Sequence, residues 1–176
     1  MTQARISDSN VLTSRPVPWV ELQGSLPSKV AAISPFVEQL MSFIATCRSV
    51  DGSELDIEGA LRESLTNAVV HGNHEDPHKR VQVVCRCSVE GEVSITVRDE
   101  GTGFDLHAVP DPTSAENIMS LHGRGIYLMR ALMDEVWFKE GGAVVHMRKH
   151  SNNVSAFESE GGKHDAQNLN RRAVSQ

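Results

Sequence analysis

The sequence contains no apolar run approaching the roughly 20 residues that a membrane-crossing helix needs, and Met1 to Ser14 holds no apolar core of signal-peptide length. A membrane protein or an exported one is therefore not expected, and the chain is placed in the cytoplasm. It also lacks an excess of positive charge. Seventeen Lys and Arg against 23 Asp and Glu leave a net charge of −6, which argues against a nucleic-acid binder that works by neutralising phosphates broadly. Cysteine is scarce and odd in number: Cys47, Cys85 and Cys87. The last two sit one residue apart in a strand-like stretch, so their side chains point the same way, and reduced core thiols fit better than a disulfide or a metal site.

What remains is ordinary globular material. The 176 residues, 39% hydrophobic and 23% charged, are about the size of one domain that buries a continuous core without staples. Residues 1–15 are polar and aperiodic, and 151–176 are rich in Ser, Asn, Gly, Glu and Lys with little to bury; both ends are expected to be flexible. Val17 to Leu22 reads as a first strand. Ser34 and Pro35 suit an N-cap and first helical position, opening a helix to about Arg48 with Phe36, Leu40 and Ile44, flanked by Val37 and Met41, on its buried stripe.

A second helix comes next, with Ser53 and Asp56 as a capping box, Ile57, Leu61, Leu65 and Ala68 on one face, and Gly72 as a left-handed C-cap. Val81, Val83, Cys85, Cys87 and Val89 alternate with polar residues, Glu90 and Gly91 turn, and Val93, Ile95 and Val97 alternate again: a hairpin with one buried face. Asp105 to His122 is irregular, carries Pro110 and Pro112, and is long for a plain connection, as lids often are. A third helix from near Gly125 to about Asp134, a strand at Val136 to Lys139, a Gly141–Gly142 turn and a strand through Val144, Val145 and Met147 complete the chain. The order β-α-α-β-β-lid-α-β-β predicts an α+β fold, a two-layer sandwich with helices on one face of a mostly antiparallel sheet.

Three groups of residues carry candidate chemistry. Glu63, Asn67 and His71 are spaced by four on the second helix, away from the Leu61 and Leu65 stripe. The plain account is a solvated helix face; the functional one is an Asn67 carbonyl oxygen offered to Mg²⁺ with Glu63 handling a proton one turn earlier. Asp99 shares strand parity with Val93, Ile95 and Val97, so its carboxylate points to the buried side and needs a partner. That partner is either a helix N-terminus or arginine inside the fold, or a ligand amine such as the exocyclic amino group of adenine. Gly101 and Gly103 in Asp99-Glu-Gly-Thr-Gly-Phe-Asp105 favour the ligand, since they leave room for a flat ring against the backbone. In His122-Gly-Arg-Gly-Ile-Tyr-Leu-Met129, Gly123 and Gly125 at the mouth of a helix expose N–H groups to an anion, and Arg124 either adds a hydrogen bond to phosphate or lies on the surface.

Histidines His71, His74 and His78 straddle a helix end and a Pro77 loop and read as ordinary loop residues. Trp19, Trp137, Phe138 and the six methionines read as core or dimer contacts.

Taken together in this order and spacing, the three groups resemble the N box and two glycine boxes of the GHKL superfamily of ATP-binding domains, over roughly residues 17–149. Glu63-Ser-Leu-Thr-Asn67-Ala-Val-Val-His71-Gly72 and Gly123-Arg-Gly-Ile-Tyr-Leu-Met-Arg-Ala-Leu-Met-Asp134 are most similar to the small anti-sigma-factor serine kinases. The resemblance implies a Bergerat-type fold over residues 16–150, ATP and Mg²⁺ as ligands, Asn67 as metal ligand, Glu63 as catalytic base and Asp99 on the adenine amino group. Gly101, Gly103, Gly123 and Gly125 would shape the pocket and lid. It further implies a homodimer that phosphorylates a serine of a small anti-anti-sigma (STAS-type) partner and, in another state, holds a sigma factor inactive. Ala143 departs from the family pattern, which has a threonine after the glycine, and removes a hydroxyl near the adenine. Two alternatives remain: a binding module switched by nucleotide without phosphoryl transfer, and a detached histidine-kinase-like ATPase domain.

Overall fold

A computed structural model describes residues 18–47, 52–103 and 124–150, together with the backbone of 3–7. Six strands, β1 (Gln3–Ser7), β2 (Trp19–Pro27), β3 (Arg80–Ser88), β4 (Val93–Arg98), β5 (Glu135–Lys139) and β6 (Val144–Lys149), accompany three helices, α1 (Ile33–Thr46), α2 (Glu54–Thr66) and α3 (Arg124–Leu132). The strands form one sheet in the order β1-β2-β3-β4-β6-β5, and every neighbouring pair is antiparallel. The α+β, two-layer expectation therefore describes the molecule.

Strand alternation divides the sheet into a packed face and a polar one. Cross-strand partners Leu22 and Cys85, Cys85 and Ile95, and Ile95 and Met147 fall on the packed face, where Val81, Val83, Cys87, Val93 and Val97 join a single apolar cluster with residues of all three helices. On the other face the partners are Glu21 with Arg86, an ion pair, and Thr96 with His146, whose Nδ1 lies 2.9 Å from the Thr96 hydroxyl and whose ring stacks on Trp137 at 5.1 Å. Such pairs hold adjacent strands in register where no core can form.

The predicted stripe of α2 is buried, and so are Val37, Leu40 and Ile44 of α1, whereas Phe36 and Met41 are only partly buried and Ile33 takes a core place the pattern did not predict. Ile33, Val37, Leu40 and Ile44 of α1, and Ile57, Ala60, Leu61 and Leu65 of α2, are buried. The close approach of α2 and α3 is permitted by Gly59, where a Cβ would come 3.0 Å from the Leu132 side chain. Lys149, its side chain 12% exposed, locks this crossing from below: its ammonium donates to the Leu132 carbonyl at 2.7 Å, among the last acceptors of α3, and to Asp56 at 3.2 Å in the first turn of α2. One cation thus satisfies a helix C-terminus and pairs with a carboxylate beside a helix N-terminus.

Several details differ from the sequence-based expectations. The segment 1–15, expected to be flexible, contains β1, which extends the sheet by main-chain pairing to the edge of β2, a nonlocal cause that five weakly patterned residues do not announce. α1 does not start at a Ser34 cap. A 3-10 turn, Val30–Ala32, leads into it, and Pro35 sits inside the first turn, where the missing N–H costs nothing. Ser53 does occupy the N-cap of α2, but its side chain makes no cap bond; Gly52 N–H instead donates to the Glu54 carboxylate at 3.0 Å. Val89, expected on the buried face, is exposed because the strand ends at Ser88. The lid 105–122, Gly123 and the tail 151–176 lie outside the described residues.

Leu61 is wholly buried between sheet and helices. Leu61→Ala is expected to lower the unfolding free energy by about 2–5 kcal/mol in urea titration; a loss below about 1 kcal/mol would mean that α2 is not the central packing element.

Candidate nucleotide site

Three backbone segments converge at one end of the sheet. The first is the end of α2, which passes at Asn67 into a π turn, Asn67–Gly72. The wider turn is marked by Asn73 N–H donating to the Ala68 carbonyl at 2.8 Å, five residues back; π turns carry a poorer hydrogen-bond geometry and cluster at functional sites. The second is the stretch after β4, Asp99 to Gly103. The third is the turn between β5 and β6, where Glu140, Gly141 and Gly142 all have positive φ.

Asp99 is half-buried at the meeting point. Its N–H donates to the Ala143 carbonyl at 3.0 Å, and Gly101 N–H donates to its Oδ1 at 2.8 Å in a local Asx turn. A Cβ built on Gly72 would overlap the Asp99 carboxylate, whose Oδ2 would lie 2.6 Å from it. Gly72 is thus required by the approach of a carboxylate; its φ is not positive, and the left-handed C-cap expected there is absent. Burial raises the Asp99 pKa above the ordinary aspartate value, against the Gly101 hydrogen bond and the charge of Lys79, which lower it. The internal partner that sequence reasoning allowed, a helix N-terminus or a bonded arginine, is not what Asp99 has: among the described residues its hydrogen bonds come from main-chain N–H groups.

The glycines around it are likewise set by backbone contact. A Cβ on Gly101 would collide with the Gly72 carbonyl, and one on Gly103, whose φ is +77°, with the Gly141 carbonyl. Gly101 and Gly103 therefore pack the loop between the π turn and the β5–β6 turn, a reason for glycine beyond leaving space for a ring. The β5–β6 turn is braced in turn by Arg98, which donates twice to the Glu140 carboxylate at 2.6 Å, a bidentate geometry.

Glu63 and Asn67 project one turn apart, Asn67 N–H donating to the Glu63 carbonyl, and both are half-buried. The Glu63 carboxylate lies against Gly125 in the first turn of α3, where any Cβ would overlap it. Arg124 opens that helix with an exposed side chain. The structure thus gathers Glu63 with Gly125 on one side and Asp99 with Gly72, Gly101 and Gly103 on the other; Gly123 is not among the described residues. Sequence reasoning does not find Asn73 and Lys79, both at this end of the sheet. An amide directly after the N-box glycine is the available signal for Asn73; Lys79 has none.

Asp99, with acceptor capacity beside backbone that carries no side chains, fits a ligand bearing an amino group. The chain also matches the family model described as "Histidine kinase-like ATPase domain" over residues 26–149. The chain belongs to the histidine kinase-like ATPase family.

Within that family this ATPase domain lies near the anti-sigma kinases. It is 34% identical over 93 residues to "Anti-sigma F factor" of Heyndrickxia coagulans, covering 50% of this chain and 63% of that protein. It is 35% identical over 105 residues to "Serine-protein kinase RsbW" of Bacillus subtilis (strain 168), covering 55% and 64%. It is 30% identical over 113 residues to "Anti-sigma F factor" of Oceanobacillus iheyensis, covering 61% and 77%. The first two alignments span less than two thirds of those proteins. Among the described residues, no helix is long and apolar enough to cross a membrane.

The raised Asp99 pKa has a signed consequence. Folding raises it above the unfolded value, so the folded protein carries a penalty that is fully present at pH values above the folded pKa and is relieved as pH falls through it toward the unfolded value. Asp99→Asn is therefore expected to melt at or above the wild-type temperature at pH 7, with the gap closing on acidification; a variant less stable than wild type at pH 7 would contradict the assignment of burial as the dominant cause. Gly72→Ala is expected to cost about 1–3 kcal/mol through overpacking against Asp99, measured by thermal unfolding.

Proposed function

We propose that the protein is an ATP-dependent serine/threonine kinase of the anti-sigma type, which phosphorylates a STAS-type anti-anti-sigma partner and sequesters a sigma factor. The observation that supports it most is the Glu63 carboxylate held against the first turn of α3, one helical turn from Asn67. That arrangement puts a general base beside backbone N–H groups suited to phosphate, with a carbonyl oxygen donor on the same helix face. The names carried by relatives, an anti-sigma factor and a serine-protein kinase, point to the same class.

In this reading Asp99 accepts a hydrogen bond from the adenine amino group, beside the side-chain-free backbone of Gly72 and Gly101. Asn67 would hold Mg²⁺ through its side-chain oxygen; the ion, when bound, neutralises charge on the phosphates. Gly123, Arg124 and Gly125 serve the phosphates. The partner's serine oxygen forms its bond to the γ-phosphorus as the bond from that phosphorus to the β–γ bridging oxygen breaks, and the serine proton passes to Glu63. ADP carries away the electron pair of the broken bond. Homodimerisation and a cytoplasmic location belong to the same reading.

A second reading, a nucleotide-switched binding module, is favoured by Ala143, which lies beside Asp99 where the family pattern has a hydroxyl. Phosphoryl transfer from γ-labelled ATP to STAS-type proteins of the source organism separates the two. Glu63→Gln is expected to bind nucleotide as wild type does while transfer falls about 10²- to 10⁴-fold, and Asn67→Ala to lose the Mg²⁺ dependence of binding. Transfer at wild-type rate in Glu63→Gln would remove the base assignment, and no transfer by wild type to any such partner would favour the switch.

A further inference from the structure

Asn73 comes directly after the π turn and is completely buried, 0% exposed, although a buried amide is retained only where its donors and acceptors are used. It uses them across three segments. Its backbone N–H closes the π turn on the Ala68 carbonyl and its carbonyl accepts from Asp76 N–H at 3.1 Å. Its side chain donates to the Arg80 carbonyl at 3.0 Å and accepts from the Glu100 N–H at 2.8 Å. The second bond matters most, because the Glu100 N–H belongs to the peptide that joins Asp99 to Glu100.

The location explains why a side chain is needed there. Pairing of β3 with β4 ends at Gln82 with Arg98, so on the β3 side Asp99 and Glu100 lie beyond the ladder. Two bonds take over. Ala143 accepts the N–H on one side of Asp99 and Asn73 accepts the N–H on the other, while Arg80 N–H, donating to the Glu100 carboxylate at 3.1 Å, ties the same corner from the β3 side. With Gly72 and Gly101 pressed against the carboxylate, the direction of Asp99 is set by its main chain, and Asn73 fixes one of its two flanking peptides.

We infer that Asn73 is a positioning residue for the Asp99 carboxylate and thereby sets the selectivity of the site for a ring carrying an exocyclic amino group. The inference rests on the reading that Asp99 receives that amino group. A site built to hydrogen-bond a ligand N–H discriminates through the geometry of its acceptor, whereas phosphate contacts at α3 are shared by all purine nucleotides. Loosening Asn73 should therefore weaken recognition of the ring's amino group and leave the rest of the affinity in place.

The test is calorimetric titration with ADP and with inosine diphosphate, which lacks the amino group, on wild type, Asp99→Asn, Asn73→Ser and Asn73→Asp. Wild type is expected to prefer ADP by about tenfold or more, and Asn73→Ser to lose about tenfold in ADP affinity while inosine diphosphate stays within about twofold. Asn73→Asp keeps the acceptor facing Glu100 and gives up the donor to Arg80; about threefold of ADP preference should go, and it decides alone if the serine variant binds neither nucleotide. Equal loss for both nucleotides, or an unchanged preference in a variant that still binds inosine diphosphate, overturns the role of Asn73 while the Asp99 reading stands. A wild type that binds both nucleotides equally, with Asp99→Asn no different, overturns both.

Discussion

A carboxylate held against bare backbone is the constraint on which the site depends. Asp99 is half-buried, its pKa raised by the loss of water around it, and its carboxylate packs against the backbone of Gly72 and Gly101. A charged group in such a place is tolerated when its acceptors are used or remain open to a ligand. Gly101 N–H uses one oxygen. The carboxylate packs against Gly72 and Gly101, and three stretches of main chain meet there without a Cβ between them: the end of α2 at Gly72, the loop at Gly101 and Gly103, and the β5–β6 turn at Gly141.

Helix α2 is the rail that relates the two halves of the site. Its buried face, Ile57, Leu61 and Leu65, is fixed in the core, so the opposite side presents Glu63 and Asn67 at a set height above the sheet. Midway along it, Gly59 lets α3 approach, and one turn later Glu63 meets Gly125 of the same helix α3. The passage from α to π geometry begins at Asn67 itself. A π turn gives up hydrogen-bond quality and displaces the residues beyond it, and here it carries Gly72 against Asp99 and seats Asn73 beneath the Asp99–Glu100 peptide. Glu63 and Asp99 are thus spaced by one helix whose irregular end is part of the spacing.

How much of this the sequence discloses depends on the range of each cause. The stripes of α1 and α2, the alternation in β3 and β4 and the inward parity of Asp99 are local periodicities, and all are seen. The start of α1 is misread because Ser34 and Pro35 make a good local cap, while the actual entry is a 3-10 turn that no side-chain cap bond marks. β1 is invisible because its pairing partner lies across the sheet edge rather than in its own pattern. Gly72 stands out in the sequence for the wrong reason: conformational freedom is the common cause of a glycine after a helix, whereas a steric demand from a residue 27 positions later cannot be read from its neighbours. Asn73 escapes sequence reasoning for the same reason, since both of its side-chain partners, at Arg80 and Glu100, are peptide groups whose placement exists only after folding.

The alanine at 143 can be weighed in the same physical terms. Position 143 holds Asp99 through its carbonyl oxygen, which accepts the Asp99 N–H, and a carbonyl is present whatever the side chain. Replacing the hydroxyl-bearing residue of the family pattern by alanine therefore leaves the main-chain mooring of Asp99 untouched, along with the Arg98–Glu140 brace that holds the turn behind it. What is lost is one hydroxyl beside Asp99, a contribution of about 0.5–1.5 kcal/mol if it bonded a neutral partner. That is a change of roughly tenfold or less in affinity, too small to abolish nucleotide binding while the acceptor at Asp99 and the cradle around it remain in place.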